Sequence, residues 1–326
     1  MNGFVLGVDG GGTQTRVVAV GTNGHLLGTG TGSSSNYDDV GVDAAQAAID
    51  QAVAGALAQA GLDRTGSQGI FLGLAGITSE TDQEVVRTIA RRLALAPADA
   101  IGVDHDCRVA LAGGLEGRPG IVQIIGTGSS CYGRNASGAA WLAGGRGHLI
   151  ADEGSGYWMG VEAMRAAVRA YDGRGPDTAL LPHVLAALGI ASIEEIMHRL
   201  YVAGMSRAEI ATMGPLVVNA AEQGDEVAVG IVNRGMAEVA DCVAAVARRL
   251  GLSDHGCEVC VVGGVAQSEF VFTIFCRAVA QVLPTATVKR PALPPVLGAA
   301  LLALELAGIE LRPPVLAKLH ASQGKA

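Results

Sequence analysis

Two distant segments of this chain repeat one pattern, which is the strongest constraint on its fold. FVLGVDGGGTQTRVVAV (4–20) and IVQIIGTGSSCYGRN (121–135) each run from an apolar strand through a Gly/Thr turn into a returning strand. Such an internal duplication calls for one supersecondary unit built twice. Glycines in the turns remove the Cβ atoms that would hold a polyphosphate away from the backbone, so successive N–H groups can converge on its oxygens. Thr13, Gln14, Thr15, Thr127 and Ser129 add side-chain donors. Asp9 ends the first strand and would repel phosphate unless a cation lay between them; Mg²⁺ held through water is the natural mediator. Gly and Thr are also ordinary turn residues, but two such turns with a strand-end carboxylate point to a phosphate clamp.

The 326 residues are enough for two domains with sizeable cores. Hydrophobic residues make up 49% and charged residues 17%, a globular composition. A net charge of −8 argues against a nucleic-acid partner, which needs basic patches, and favours a small-molecule substrate. With no leader-like start and no apolar stretch long enough for a bilayer, a soluble cytoplasmic protein without a membrane partner is expected. The six cysteines, Cys107, Cys131, Cys242, Cys257, Cys260 and Cys276, are scattered as buried thiols would be in a reducing compartment. Cys257 and Cys260 form C-x-x-C, but the run continues as a strand and no second pair follows at zinc spacing.

The first unit is expected to open with strands over 4–9, 16–20 and 25–30. After the loop TGSSSNYDD comes an alanine-rich amphipathic helix over 42–60, ended by Gly61. A strand over 70–74, a helix over 81–95 and a short strand over 100–103 lead to Asp104-His105-Asp106 at the start of a helix reaching about residue 112. The second unit repeats the hairpin, adds a strand over 139–142, and passes through GGRGH (144–148) and DEGSGYWMG into a long helix. Residues 176–250 read as helix almost throughout, with breaks near Gly189, Gly204, Gly214 and Gly224. A strand over 258–262 ends in Gly263-Gly264; a helix over 269–282, a strand over 287–289 and a final helix follow. This alternation predicts an α/β architecture with mixed sheets. The expected domains are 1–115, joined by a C-terminal helix within 296–320, and 116–295, hinged about a cleft.

The DGGGT hairpin, the GTGS hairpin and the late strand ending in Gly-Gly resemble the phosphate-1, phosphate-2 and adenosine motifs of the sugar kinase, Hsp70 and actin superfamily. Within it the chain is similar to the BadF/BadG/BcrA/BcrD-type ATPase family, which holds N-acetylglucosamine kinases. The most specific part is GGRGHLIADEGSGYWMG (144–160), similar to the family's G-W-G-H…G-D-E-G-S segment. The resemblance covers essentially the whole chain. It implies a two-domain actin-like ATPase fold with duplicated ribonuclease H-like domains. ATP with Mg²⁺ would lie in the interdomain cleft, and a sugar in a neighbouring pocket of the first domain.

By position, Asp9 would organise the Mg²⁺ through water. Gly11, Gly12, Thr13, Gln14 and Thr15, with Thr127, Gly128 and Ser129, would hold the phosphates, and Gly263 and Gly264 would pass beneath the adenosine. Asp106 matches the family's catalytic aspartate and would accept the proton of the sugar's 6-hydroxyl. Ser35, Asn36, Asp152 and Glu153 fall where the family contacts the sugar, and Gly145 and Arg146 join that set. The implied activity is phosphorylation of an amino sugar, N-acetylglucosamine or glucosamine. Separately, the apolar helical stretch of the second unit is expected to supply a homodimer interface. Asp106 also suits a helix cap, and Asp152 and Glu153 suit first-turn helix charges. Arg146 departs from the family's Trp; a planar cation can stack on a sugar but also pairs with carboxylates, which leaves a muramic acid derivative open as substrate. For His105 and His148, hydrogen-bonding roles are expected rather than zinc ligation.

The alternative within the family is an ATPase activator of a 2-hydroxyacyl-CoA dehydratase or benzoyl-CoA reductase type, carrying an iron–sulfur cluster between two subunits. That requires closely placed cysteines, and the surroundings of Cys107 and Cys131 do not resemble the activators' Cys-Ala-Ala-Gly-Thr-Gly segment. A sugar sensor fused to a DNA-binding module would need a helix-turn-helix, and none precedes the first hairpin.

Overall fold

The computed structural model describes residues 3–254 and 256–325. In chain order, β1 (Phe4–Gly10), β2 (Thr15–Gly21) and β3 (Leu26–Gly32) precede the short α1 (Tyr37–Val40) and α2 (Val42–Ala60). Then come β4 (Ser67–Leu74), α3 (Glu80–Arg92), β5 (Ile101–His105) and α4 (Asp106–Gly114). The second hairpin is β6 (Gly120–Ile125) and β7 (Ser129–Arg134), followed by β8 (Ala140–Gly144) and the helices α5 (Gly156–Tyr171) and α6 (Leu180–Leu188). The remaining elements are α7 (Arg207–Ala211), α8 (Gly214–Glu222), α9 (Glu226–Arg249), β9 (Glu258–Val262), α10 (Glu269–Val282), β10 (Thr287–Lys289), α11 (Pro295–Leu306) and α12 (Pro313–His320). Two compact units result, one running to Pro119 and resuming at Arg290, the other spanning Gly120–Lys289.

Each unit is built on a five-stranded sheet, in the orders β3-β2-β1-β4-β5 and β10-β9-β6-β7-β8. Read from opposite ends, these are one topology: a three-stranded antiparallel meander, then two strands parallel to its first. The sequence duplication is therefore a duplication of the whole sheet.

In the first unit, strand alternation divides the core between two faces. Phe4, Leu6 and Val8 of β1 join Ile49, Ala52, Val53, Val86 and Ile89 from α2 and α3. Val5, Val18 and Val20 face the opposite way onto α11, whose Leu297, Ala300, Leu301 and Leu304 are buried. Helix α11 is apolar nearly all round because it is enclosed, with α4 on its far side. The second unit buries β6 and β9 against α5, α8, α9 and α10 in one cluster that includes Ile121, Met159, Val217, Met236, Val259 and Phe275.

A close seam fixes one edge of the first sheet. A Cβ on Gly28, Gly30 or Gly32 of β3 would lie 2.1, 1.9 or 2.2 Å from the carbonyl oxygens of Ala56, Ala52 and Ala48 of α2. Glycines at alternate strand positions meet alanines one helical turn apart, so backbone packs directly on backbone.

Two sequence expectations differ from the structure. The helical reading of 176–250 holds for α6, α8 and α9, but 189–213 breaks into a 3₁₀ turn at Ile193–Glu195, a π-helical turn at His198–Val202 and the short α7. The break expected near Gly214 is present: α7 ends at Ala211 and Gly214 opens α8. The C-terminal stretch 296–320 is two helices, because Gly308 takes a left-handed conformation (φ 73°) and Pro313-Pro314 start a new helix.

Gly30→Ala should therefore lower stability by about 2 kcal/mol or more in denaturant unfolding, the upper range for overpacking. Gly230→Ala, inside α9 with its nearest side-chain atom an ordinary 3.7 Å away, should raise stability by about 0.5–1 kcal/mol through helix propensity. Equal effects from the two substitutions would refute the seam.

Candidate functional site

Parallel strands bring their C-terminal ends to one edge, where β1, β4 and β5 deliver Asp9, Leu74 and His105-Asp106. The first hairpin turn covers Gly11–Gln14, closed by the Gly11 N–H donating to the Gln14 carbonyl at 2.9 Å. Gly12, Thr13 and Gln14 are exposed, and a Cβ on Gly12 would have only Asp39 Oδ2 near it, at 4.0 Å. The turn thus presents open backbone, a cradle that side chains would fill. Thr15 does not offer its hydroxyl to a ligand: buried, it donates to the Ser33 carbonyl at 2.7 Å, while Ser34 Oγ donates to the Gly11 carbonyl at 3.3 Å.

These bonds hang the Ser33–Asn36 loop on the hairpin. Ser35 is fully buried, and its Oγ has no hydrogen-bond partner. A Cβ on Gly10 would sit 2.2 Å from that oxygen, so the glycine makes room for the serine. Asn36 Nδ2 donates to Asp39 Oδ2 at 2.6 Å, leaving Oδ1 buried and unpaired beside Gly76. Unsatisfied buried acceptors and hydroxyls cost free energy unless a ligand completes them, so Ser35 and Asn36 suit a hydroxyl-bearing ligand.

Asp106 opens α4 and is partly exposed. Its neighbour Asp9 has its carboxyl pushed up to about 7, chiefly by desolvation and then by the Asp106 carboxylate, with Arg16 opposing. Two carboxylates crowded at one strand edge favour a cation between them and a polyphosphate, so the residues fit a magnesium ion. His105, Asp106 and Cys107 also bring ligand-type atoms within 4.8 Å of one another. They are engaged among themselves and with Asp104: the Cys107 thiol donates to Asp106 Oδ1 at 3.5 Å, and His105 Nε2 lies 3.6 Å from Asp104 Oδ1.

In the second unit the hairpin turn is tighter, Gly126–Gly128, with the Gly126 N–H donating to the Gly128 carbonyl at 2.9 Å. Thr127 is exposed. Ser129 stands where Thr15 stands in the first sheet, and its hydroxyl likewise ties down the loop after the third strand, donating to the Glu153 carbonyl at 2.7 Å. The first turn of α5 reinforces this, with Gly156 and Tyr157 N–H groups donating to the Gly126 and Thr127 carbonyls at 2.8 and 3.2 Å. Gly263 (φ 106°) ends β9 where a Cβ would lie 2.3 Å from the Ile125 carbonyl oxygen, whereas Gly264 faces open space. The adenosine-type glycines and the second hairpin therefore meet within one unit.

Asp152 is 3% exposed and adopts φ 100°, a backbone region costly for a non-glycine residue. One carboxylate oxygen accepts from Arg207 Nη2 at 2.8 Å and the other from the Ser129 N–H at 3.4 Å. Desolvation raises its carboxyl above the usual range, and Arg207 opposes that rise. Its side chain thus serves the hairpin. Glu153 is partly exposed, Gly145 (φ 63°) packs against Ser130, and Arg146 is exposed. His148 meets the Tyr157 ring edge-on at 4.8 Å.

The expected residues thus form two groups. Asp9, Gly11 to Thr15, Ser35, Asn36 and Asp106 gather in the first unit; Thr127 to Ser129, Gly145, Arg146, Asp152, Glu153, Gly263 and Gly264 belong to the second. Sequence reasoning missed Asp39, which pairs with Asn36, and Arg207. A signal for Arg207 existed: Ser206 and Glu209 form a capping box, which marks a helix start and puts Arg207 at its first position.

A twice-built sheet with a glycine hairpin on each copy and carboxylates at one strand edge defines the actin-like ATPase class of fold. A family model described as the BadF/BadG/BcrA/BcrD ATPase family matches residues 6–303. The chain belongs to that family. It is 32% identical over 262 residues to the N-acetylmuramic acid/N-acetylglucosamine kinase of Clostridium acetobutylicum, covering 80% of this chain and 85% of that one. It is 31% identical over 310 residues to the N-acetyl-D-glucosamine kinase of Dictyostelium discoideum, covering 92% and 97%. Among solved structures, one from Chromobacterium violaceum designated an N-acetylglucosamine kinase superposes with a TM-score of 0.75 at 26% identity, covering 93% of this chain and 99% of that one.

The raised Asp9 carboxyl has a consequence for stability. Its folded value exceeds the ordinary 3.8, so the ionised form costs the fold increasingly from about pH 4 to about pH 7, and the cost is constant above that. In the ligand-free, magnesium-free protein, Asp9→Asn should raise Tm at pH 8 by about 3 °C or more and have little effect at pH 4. An unchanged or lower Tm at pH 8 would show that Asp9 is not under this strain.

Proposed function

We propose that this protein is an ATP-dependent amino-sugar kinase that transfers the γ-phosphoryl group to the 6-hydroxyl of N-acetylglucosamine or glucosamine. One observation carries the reading: Asp106 stands beside Asp9 at the strand edge where the first hairpin presents open glycines, with unsatisfied Ser35 and Asn36 on the adjoining loop. Kinship with amino-sugar kinases along most of the chain supports the same chemistry.

Asp106 takes the 6-hydroxyl proton as that oxygen bonds to the γ-phosphorus, and the bond to the bridging oxygen breaks to leave ADP. Its contribution is geometric, holding an acceptor at the oxygen that attacks. Ser35 and Asn36 orient the sugar through its hydroxyls, with Glu153, Gly145 and Arg146 as further sugar contacts from the second unit. Gly11 to Gln14 and Thr127-Gly128 hold the phosphates by backbone N–H groups and the exposed hydroxyls, and Gly264 leaves room for the adenosine. A magnesium ion held through water by Asp9 would neutralise the charge of the polyphosphate.

The activator alternative has no comparable support: Cys107 and Cys131 are 2% and 0% exposed, and burial pushes the Cys131 thiol well up, away from the thiolate a cluster needs. No single helix among the described residues is long and apolar enough to cross a membrane. A cytoplasmic setting is supported by the thiols Cys131, Cys242, Cys257 and Cys260. A homodimer is supported by the exposed apolar side chains Met197, Tyr201 and Val202 on the second unit, and light scattering should read twice the mass of the chain.

Asp106→Asn should lower kcat by about 10²–10⁴-fold while leaving ADP affinity within about twofold. Near-normal turnover would remove Asp106 from its role. In a coupled ADP-release assay over glucosamine, N-acetylglucosamine and N-acetylmuramic acid, ADP should appear only with an amino sugar present; release at the same rate without sugar would refute a kinase.

A further inference from the structure

The second hairpin carries a cation that its own motif does not contain. Arg207, the first residue of α7, reaches Asp152 with Nη2 at 2.8 Å. A Cβ on Gly128 would lie 2.3 Å from that nitrogen and 3.0 Å from Asp152 Oδ2, so the guanidinium nitrogen sits directly against the turn's glycine. Asp152 is nearly enclosed in a costly backbone conformation, which fixes it as an anchor rather than a mobile partner. The Arg207 side chain, by contrast, is 41% exposed. A guanidinium has five N–H donors in a rigid fork, and the Asp152 contact engages one nitrogen. The remaining donors sit beside a turn whose exposed Thr127 and backbone are suited to an oxyanion.

We infer that Arg207, held by Asp152 against Gly128, is a phosphate-binding residue of the second hairpin and sets affinity for the polyphosphate tail of the nucleotide. The pair acts as one device. Asp152 aims the fork and removes its rotational freedom, so little entropy is lost when phosphate oxygens bind. Asp152 is then a positioning residue for the nucleotide. This inference rests on the reading of the second hairpin as a nucleotide site.

The test compares ADP with adenosine, which lacks phosphates, by calorimetry on the full chain. Arg207→Ala should weaken ADP by about tenfold, the loss of one charge-assisted contact, and leave adenosine unchanged; Arg207→Lys should recover part of the loss. Unchanged ADP affinity, or equal losses for ADP and adenosine, would overturn the inference, the second outcome marking a structural role. If the unsubstituted protein binds neither ligand, the nucleotide reading itself falls and this inference with it. A second measurement needs no variant: phenylglyoxal modification of Arg207 in the unsubstituted protein should slow with ADP and not with adenosine. Equal rates with and without ADP would also overturn it.

Discussion

Everything functional in each unit depends on one hydrogen bond made twice. The first residue after each hairpin turn, Thr15 in one sheet and Ser129 in the other, donates its hydroxyl to a carbonyl in the loop that follows the third strand, Ser33 and Glu153 respectively. These hydroxyls are buried, so each bond carries the penalty of an unmade partner if lost. Each ties the turn that would hold phosphate to the loop that would hold the acceptor sugar. The hydroxyls that a motif reading assigns to the ligand therefore hold the scaffold, and backbone N–H groups with exposed Thr13, Gln14 and Thr127 remain for the nucleotide.

The two copies have diverged in charge while keeping their geometry. Asp9 stands one residue before the last pair of its hairpin, and the same register in the second sheet is occupied by Ile124. The first unit gathers carboxylates: Asp9 and Asp106 at the strand edge, with Asp38 and Asp39 near Gly76 and Gly12. The second sets a guanidinium against its turn. Phosphoryl transfer asks for this division, because the end that receives a proton and organises a cation needs anions, whereas the end that grips the polyphosphate needs positive charge.

The duplication, the α/β class, the order of the strands and the helices bordering them were legible because they rest on local signals: alternation in 4–20 and 121–135, Gly61 after a periodic helix, Gly-Gly after 258–262. The region 189–213 was not, since its apolar residues keep helical spacing while Gly204 and the cap at Ser206 interrupt it. Asp106 and the hairpin glycines were legible by position on strand ends. The pairing of Arg207 with Asp152 was not, because an ion pair across 55 residues of sequence leaves no pattern in one chain. The DEGS segment marks both acids as site residues, and the backbone angle of Asp152 and its partner on another helix add where that carboxylate is held.

The glycine seam explains why the first unit's site can be preorganised. Strand β3 is held against α2 by backbone contact at Gly28, Gly30 and Gly32, and the Ser33–Asn36 loop leaves that strand directly after the last of them. Its other end enters α1 and then α2, the helix that forms the seam. The loop is thus clamped at both ends by the same pair of elements and pinned in its middle by Ser34 and Thr15. Larger residues on β3 would bury more apolar area, but they would push α2 outward and carry Asn36 with it. Close packing at the seam sacrifices side-chain burial for position, and position is what a site built on unsatisfied Ser35 and Asn36 requires.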